Sequence, residues 1–412
     1  MLALIALRNL SRNRRRTALS LSVVSVGFVG ILLTAGFVRH SFEGLGDAVI
    51  RGGLGHLEVA PASDREAAGS PADPSGRPPG LSGWRVLRDA IERRPHVRAA
   101  GAAIQFVGVA TNGDHSASFV GIAVEPDRER LMGMDVRLRQ GVNLSESQAE
   151  DDNAVLLGLG LARALTARPG DTLTVMASTP DASLNAVDMR VVGVFTTGIQ
   201  ELDSRVMKTG IATAQRLLDT DNVSSLVVGL SDAGATADAA LDLRHTFGAG
   251  AQALAVTTWE TRAPFYGQVR RLYTGIFVFL GTIVAILVVL STSNTMLMSV
   301  LERVREFGTL LAIGTSRSQI AQMLVFEALW LSLCGGILGS SLGVGAVMGL
   351  NAAEIDMPPP PGAVDPIQLA LVVVPADFLW IMAGLTCVLV AAVLPPLVRV
   401  FRMQIVDSLG HV

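Results

Sequence analysis

Residues 275–290 read GIFVFLGTIVAILVVL, and no charged side chain interrupts the wider stretch 273–298. A helix rises about 1.5 Å per residue, so about 20 apolar residues cross a hydrocarbon core roughly 30 Å thick. This stretch is therefore a membrane span, and it sets the class of the protein. Three more stretches reach the same length, at 17–38, 322–350 and 378–400. Glu327, near the start of the third, is the one charge in their central parts. The apolar run at 17–38 is too long for a typical cleaved signal, so it reads as an uncleaved anchor.

Composition agrees. Half of the residues are apolar and 17% are charged, below the roughly 25% of soluble domains. A net charge of −3 gives no case for a nucleic-acid partner. Cys334 and Cys387 both lie in apolar runs and read as small fillers of a helix bundle.

Arginine placement predicts the orientation. Arg8, Arg12, Arg14, Arg15 and Arg16 precede the first span. Arg303, Arg305 and Arg317 lie between the second and third, and Arg399 and Arg402 end the fourth. Residues 351–377 hold no Lys or Arg. Both termini and the Arg303 loop are thus expected in the cytoplasm. Arg270 and Arg271 point the other way, but long domains translocate largely regardless of charge.

The expected organisation follows. Residues 1–16 form a cytoplasmic amphipathic segment and 17–38 the first span. Residues 39–272 form an extracytoplasmic domain with helical stalks at both ends, 273–298 the second span and 299–321 a cytoplasmic loop. Then come span three (322–350), a short outer loop (351–377), span four (378–400) and a tail (401–412). The fold class is membrane α-helical, with four transmembrane helices and an inserted α+β domain.

Within that domain, 60–81 is rich in Pro, Gly, Ser and Asp and reads as a mobile loop. Strand-like runs cover 102–110, 118–124, 172–177, 189–195 and 225–230; helical patterns cover 84–94, 160–167, 213–218 and 235–247. Gly158 and Gly160 follow a strand and open a helix, but the third glycine of a dinucleotide fingerprint would fall at Arg163. They read as a tight turn. His40, His56, His96, His115, His245 and His411 are scattered without ligand spacing, so no metal site is expected. No catalytic constellation stands out, and the chain is not expected to be an enzyme.

The loop LERVREFGTLLAIGTSRSQI, residues 301–320, is the most informative. Glu302, Arg303, Arg305 and Glu306 form its first turns. Leu310, Leu311 and Ile313 follow, then Gly314 as a C-cap, with Thr315 or Ser316 capping the next helix. Phe307, Leu310 and Leu311 would sit exposed unless they dock onto something, which favours a helix seated on a partner. In span three, Gly335-x3-Gly339 and Gly345-x3-Gly349 are spaced for close helix packing, within the bundle by default or across a dimer seam. Pro395-Pro396 is expected to kink or end span four.

Glu302-Arg303-Val304-Arg305-Glu306-Phe307-Gly308 with Leu311-Ala312-Ile313-Gly314 resembles the signature of FtsX-like permeases, the membrane subunits of MacB-type and lipoprotein-releasing LolC/LolE-type ABC transporters. The amino terminus is similar too, at Ala6-Leu7-Arg8-Asn9-Leu10, Arg12-Asn13 and Arg16-Thr17. So is the middle region, less specifically, at 155–162, 169–171, 191–198 and 201–205, where it leans towards the lipoprotein-releasing members.

The resemblance implies a permease dimer, identical or paralogous, that binds an ATPase dimer through the second cytoplasmic segment. Leu301, Glu302, Arg303, Arg305, Glu306, Phe307, Gly308, Leu310, Leu311 and Gly314 would then form the coupling helix. ATP and Mg would be held by the ATPase; the chain itself would hold no cofactor. The expected place is the bacterial inner membrane. The expected partners beyond the ATPase are a periplasmic lipoprotein, chaperone or adaptor, and membrane lipid. The expected work is mechanotransmission, most simply lipoprotein release. The alternatives are MacB-like export and FtsX-like regulation of a cell-wall hydrolase. Lys208 is the only lysine and Met207 precedes it, so no Walker A Gly-Lys pair exists. That points to a separate ATPase subunit.

Overall fold

The computed structural model describes residues 6, 8, 14–62, 80–134, 136–147, 153–198, 200–248, 254–357 and 367–402. Most of the amino-terminal segment, the loop at 63–79, the prolines at 358–361 and the tail beyond 402 lie outside them. The chain divides into two compact units. One comprises Met1–Phe42, Arg270–Met357 and Gln368–Val412; the other comprises Glu43–Val269 and Pro358–Ile367.

Four helices among the described residues are long and apolar enough to cross a membrane. Helix α1 spans Arg14–Val49 and passes into a π-helical turn, Ile50–Leu54. The second long helix is Pro264–Glu302, the third Arg317–Ala352, and the fourth Pro375–Ala392 continues past a break at Val393 as Leu394–Arg402. The break lies just before Pro395, whose missing N–H cannot bond the preceding turn. The stalk expected after the domain is helical but interrupted: Ala263 leaves helical geometry (φ −114°, ψ 68°) between a short helix, Trp259–Arg262, and the long one that starts at Pro264.

The domain unit is built on a mixed ten-stranded sheet. Its strands are β1 Leu57–Pro61, β2 Val97–Thr111, β3 Ser116–Val124, β4 Arg137–Gly141, β5 Ala154–Gly158, β6 Thr172–Ser178, β7 Leu184–Thr196, β8 Val206–Gly210, β9 Ser225–Leu230 and β10 Leu254–Thr258. The order is β10-β1-β9-β2-β3-β8-β5-β7-β4, with β6 pairing to β2 and β7. β3–β8 and β5–β7 are parallel; the other pairs are antiparallel.

The helices are numbered on from α1. They are α2 Trp84–Glu92, α3 Pro126–Leu131, α4 Leu159–Ala164, α5 Gln200–Asp203, α6 Ile211–Leu218, α7 Thr236–Phe247, α8 Trp259–Arg262, α9 Pro264–Glu302, α10 Val304–Ala312, α11 Arg317–Ala352, α12 Pro375–Ala392 and α13 Leu394–Arg402. Ile91 of α2, Leu161 of α4, Leu217 of α6 and Leu243 of α7 join Ile104, Phe106, Leu157, Met189 and Val228 in the main core. Alternation along the strands sends Leu156, Val192 and Phe195 to a second cluster.

All five strand-like runs and all four helical patterns read from the sequence fall on elements of the matching type. Strands β1, β4, β8 and β10 carry too little alternation to stand out. β8 holds the only lysine: Lys208 is 1% exposed, ion-paired with Glu129 of α3, with its ammonium 6.0 Å from the centre of the Phe195 ring. Gly158 and Gly160 do form a tight turn. A Cβ on either would come within 2.7 Å of backbone at Asp203 or Ser204.

Candidate coupling site

The membrane unit brings the sequence-selected residues into a short hairpin. α9 ends at Glu302 and Arg303 breaks the helix (φ −108°, ψ 15°) before α10 begins. α10 ends in a Schellman motif: Thr315 N–H donates to Leu310 O at 2.9 Å and Gly314 N–H to Leu311 O at 3.2 Å. Gly314 takes φ +100°, a region that favours glycine. Ser316 then starts α11 with a capping box, its Oγ accepting from Gln319 N–H and its own N–H donating to Gln319 Oε1 at 2.9 Å.

The apolar stripe of α10 does not wait for a partner, which corrects the docking expectation. Phe307 is 1% exposed and joins Ala6, Val300, Ile320, Met323 and Val400; Leu310 and Leu311 pack against the same cluster. Gly308 is buried as well. The arginine of the signature holds this seat, since Arg303 Nε donates to Glu306 at 2.7 Å while its guanidinium lies 5.1 Å from the centre of the Phe307 ring. The face left open carries Leu301, Glu302, Arg305, Glu306, Thr309, Ala312 and Ile313, the last 74% exposed.

The two glycine pairs of α11 behave differently. A Cβ on Gly335 would come 2.4 Å from Val24, one on Gly339 2.7 Å from Phe28, and one on Gly343 2.6 Å from Leu32. These contacts march four residues at a time in both helices, so α1 and α11 run parallel in close contact. Gly345 and Gly349 meet nothing within 4 Å. On the other side of α11, the hydroxyls of Ser332 and Thr386 lie 2.7 Å apart, and a Cβ on Gly336 would clash with Met382, so α12 runs antiparallel to α11.

The domain unit holds a second constellation, which sequence reasoning missed. Glu58 of β1 is 2% exposed and pairs with Arg262 of α8 at 3.0 Å. Arg262 also donates to Leu54 O of the π-helical turn at 3.5 Å. The Trp259 ring lies on Gly46 of α1, where a Cβ would come within 3.2 Å of it, and stacks edge-on with Tyr266 of α9 at 4.7 Å. Trp259 N–H donates to His56 O at 3.1 Å, and His56 Nδ1 accepts from Leu230 N–H at 3.2 Å. Burial lowers the His56 pKa, against the opposing pull of Asp47 and Asp232. The end of α1 and the start of α9 are thus fastened to β10, an edge strand, and to its neighbour β1. The one cue in the sequence was a glutamate inside the apolar strand LEVAP.

Among the described residues no group of His, Cys, Asp and Glu could hold a metal ion. Apolar helices carrying a hairpin of this signature, together with a folded α+β domain, define a membrane permease of the ABC-transporter type. The chain belongs to the MacB/FtsX family: residues 17–246 match the MacB-like periplasmic core domain and residues 278–405 the FtsX-like permease C-terminal domain.

Over 175 residues the chain is 29% identical to the macrolide export ATP-binding/permease protein MacB of Bdellovibrio bacteriovorus, covering 39% of this chain and 27% of that one. It is 27% identical over 178 residues to the ABC transporter permease YknZ of Bacillus subtilis, covering 41% and 44%. It is 29% identical over 182 residues to the pyoverdine export ATP-binding/permease protein PvdT of Pseudomonas syringae, covering 41% and 27%. The matches thus span less than half of each relative. Among solved structures, the periplasmic region of MacB from Actinobacillus actinomycetemcomitans aligns at 17% identity and TM-score 0.36, covering 52% of this chain and 92% of that one.

Proposed function

We propose that this chain is the transmembrane subunit of a mechanotransmitting ABC transporter, driven by a separate ATPase that seats on the 301–316 hairpin. In this reading ATP and Mg are bound by the ATPase; the 412 residues themselves hold no Gly-Lys pair for a phosphate-cradling loop. Closure of two permeases by the ATPase is carried along α1 and α9 to the fastened strands β1 and β10. The observation that carries this reading is the hairpin itself. Its apolar side is consumed inside the chain by Phe307, Leu310 and Leu311, while Glu302, Arg305, Glu306, Thr309 and Ile313 stay open on a helix fixed at both ends. A rigid, charged, exposed helix transmits force; a floppy loop would absorb it.

The work favoured is export of a small amphiphile or peptide from the far side of the membrane, in line with relatives named for macrolide and pyoverdine export. Lipoprotein release is the second reading, motivated by the 201–205 motif. Asp203 of that motif is 2% exposed and accepts from Thr196 Oγ1 at 2.5 Å and from Thr197 N–H at 2.7 Å, which explains its presence by turn structure rather than by cargo.

The test is co-purification of the ATPase with Glu306→Lys. The substitution reverses a charge on the open face but also breaks the Arg303–Glu306 pair, so Arg305→Glu, which reverses a charge on the same face and leaves that pair intact, is run beside it and should give the same loss. Insertion should be normal and the ATPase lost. Retention of the ATPase would remove the coupling assignment. Deleting 303–308 is a poorer test, because it also takes out the buried Phe307 and Gly308.

A further inference from the structure

The membrane unit ends in a helix that the coupling reading does not use. α13 follows α12 past the break at Val393 and buries Pro396 and Val400 against the bundle. Its carboxyl end is tied down, since the Arg317 guanidinium donates to the Phe401 carbonyl. Its outer side carries Leu394, Val398 and Phe401, which are 60%, 51% and 49% exposed and recur at i, i+4 and i+7 on one face. Arg402 and then Arg399 flank that stripe on one side, both exposed. Neither makes an ion pair among the described residues.

Depth fixes what these arginines meet. At the far end of α12, Trp380 is 77% exposed, as an aromatic at the membrane–water boundary would be, and Asp377 is bonded to Arg39 at 2.7 Å. Arg399 and Arg402 follow Trp380 by 19 and 22 positions; Val393 at the break keeps right-handed helical angles (φ −77°, ψ −17°), so at 1.5 Å per residue the two helices together span up to about 29 and 33 Å. With Trp380 at one boundary of a core about 30 Å thick, the arginines lie at the opposite headgroup level. Leu394 and Val398 then lie just beneath the headgroups, beside the first part of the acyl chains.

We propose that α13 is a binding site for an anionic glycerophospholipid. The Arg399 and Arg402 guanidinium groups hold the headgroup phosphate, and the Leu394–Val398–Phe401 stripe receives the first part of an acyl chain. The choice of occupant rests on charge complementarity. Two free cations beside an apolar stripe match a phosphodiester joined to a hydrocarbon tail, and a zwitterionic headgroup offers no net charge to pair with them. The fixed Phe401 carbonyl keeps both arginines on one pre-set turn, so little side-chain and backbone order has to be created when lipid binds. This site is independent of the hairpin and of the cargo.

The experiment uses the full chain, reconstituted in nanodiscs of equal phosphatidylglycerol and phosphatidylcholine, released in mild detergent, with retained lipid counted by native mass spectrometry. The wild type should retain phosphatidylglycerol in preference. Each arginine near an anionic surface contributes about fivefold, so Arg399→Gln/Arg402→Gln should cut the preference about twenty- to thirtyfold. Arg399→Lys/Arg402→Lys should keep most of it, which separates lost charge from lost folding. Arg163→Gln/Arg168→Gln, on exposed arginines of the α+β domain, should change it little. The proposal is overturned if the glutamine pair retains phosphatidylglycerol as the wild type does, or if the domain control loses as much. Loss of ATPase co-purification by the glutamine pair with lipid retention intact would assign α13 to a protein contact and overturn it too.

Discussion

Replacing Arg262 by Met should loosen the edge of the sheet while leaving the rest of the domain folded. In the native chain the Glu58 carboxylate has 3% of its side chain exposed and meets the Arg262 guanidinium, itself 11% exposed, at 3.0 Å. Thr257 Oγ1, at 3.4 Å, is a marginal second partner. Arg262→Met therefore takes the guanidinium away from a carboxylate buried between β1 and α8. Breaking one side of a buried pair costs about 3–5 kcal/mol, much of a typical domain stability of roughly 5–15 kcal/mol. In hydrogen–deuterium exchange of the full chain in detergent, this appears as opening of Leu57–Pro61 and Leu254–Thr258. At about 1.4 kcal/mol per tenfold, their exchange should accelerate by about a hundredfold to several thousandfold. β5 and β7 should be unaffected. Glu58→Leu/Arg262→Met should recover most of the protection, because it removes both charges and leaves volume in place. Acceleration under about fivefold in the single variant, or equal acceleration in single and double variants, would refute the fastening ascribed to this pair.

Two more outcomes follow from the same geometry. Gly335→Ala and Gly339→Ala should each lower the thermal stability of the purified chain, by about 1–3 kcal/mol, since a Cβ would lie 2.4 and 2.7 Å from Val24 and Phe28. Gly345→Ala and Gly349→Ala should be neutral or slightly stabilising in the same melt, because their Cβ atoms enter open space. For His56, burial holds the folded-state pKa below the ordinary 6.5. The neutral form accepts from Leu230 N–H, so its stabilisation is complete above about pH 6.5 and is lost as pH falls through the lowered folded value. Exchange at Leu230, corrected for its intrinsic rate, should rise on acidification below pH 6.5 and become pH-independent in His56→Phe; a flat wild-type profile would contradict this.

Much of the architecture was legible because membrane spans announce themselves by length and apolarity alone. Residues 275–290 needed nothing else, and the 102–110 and 118–124 runs carried strand composition plainly. What could not be read was the direction in which a side chain is satisfied. Gly335-x3-Gly339 and Gly345-x3-Gly349 look identical in sequence, yet one is filled by α1 and the other is open. Phe307 looked like a docking residue because its partners lie up to about 300 positions away in the chain, at Ala6 and Val400. Lys208 and Glu58 sit in strands whose polar residues argued for exposure, and only the guanidinium or carboxylate brought in by another element makes their burial tolerable. The fastening of α1 and α9 at Trp259 and Arg262 depends wholly on such long-range pairing, and a single sequence does not display it.

The proposed coupling requires the hairpin and the α+β domain to lie on opposite sides of the membrane. Two single-cysteine chains, Ala312→Cys and Ser116→Cys, in a Cys334→Ser/Cys387→Ser background, test this directly; both positions are exposed. A membrane-impermeant thiol reagent applied to intact spheroplasts should label the Ser116→Cys chain at once and the Ala312→Cys chain only after permeabilisation. Equal labelling of both before permeabilisation would place hairpin and domain on one face and contradict the coupling mechanism.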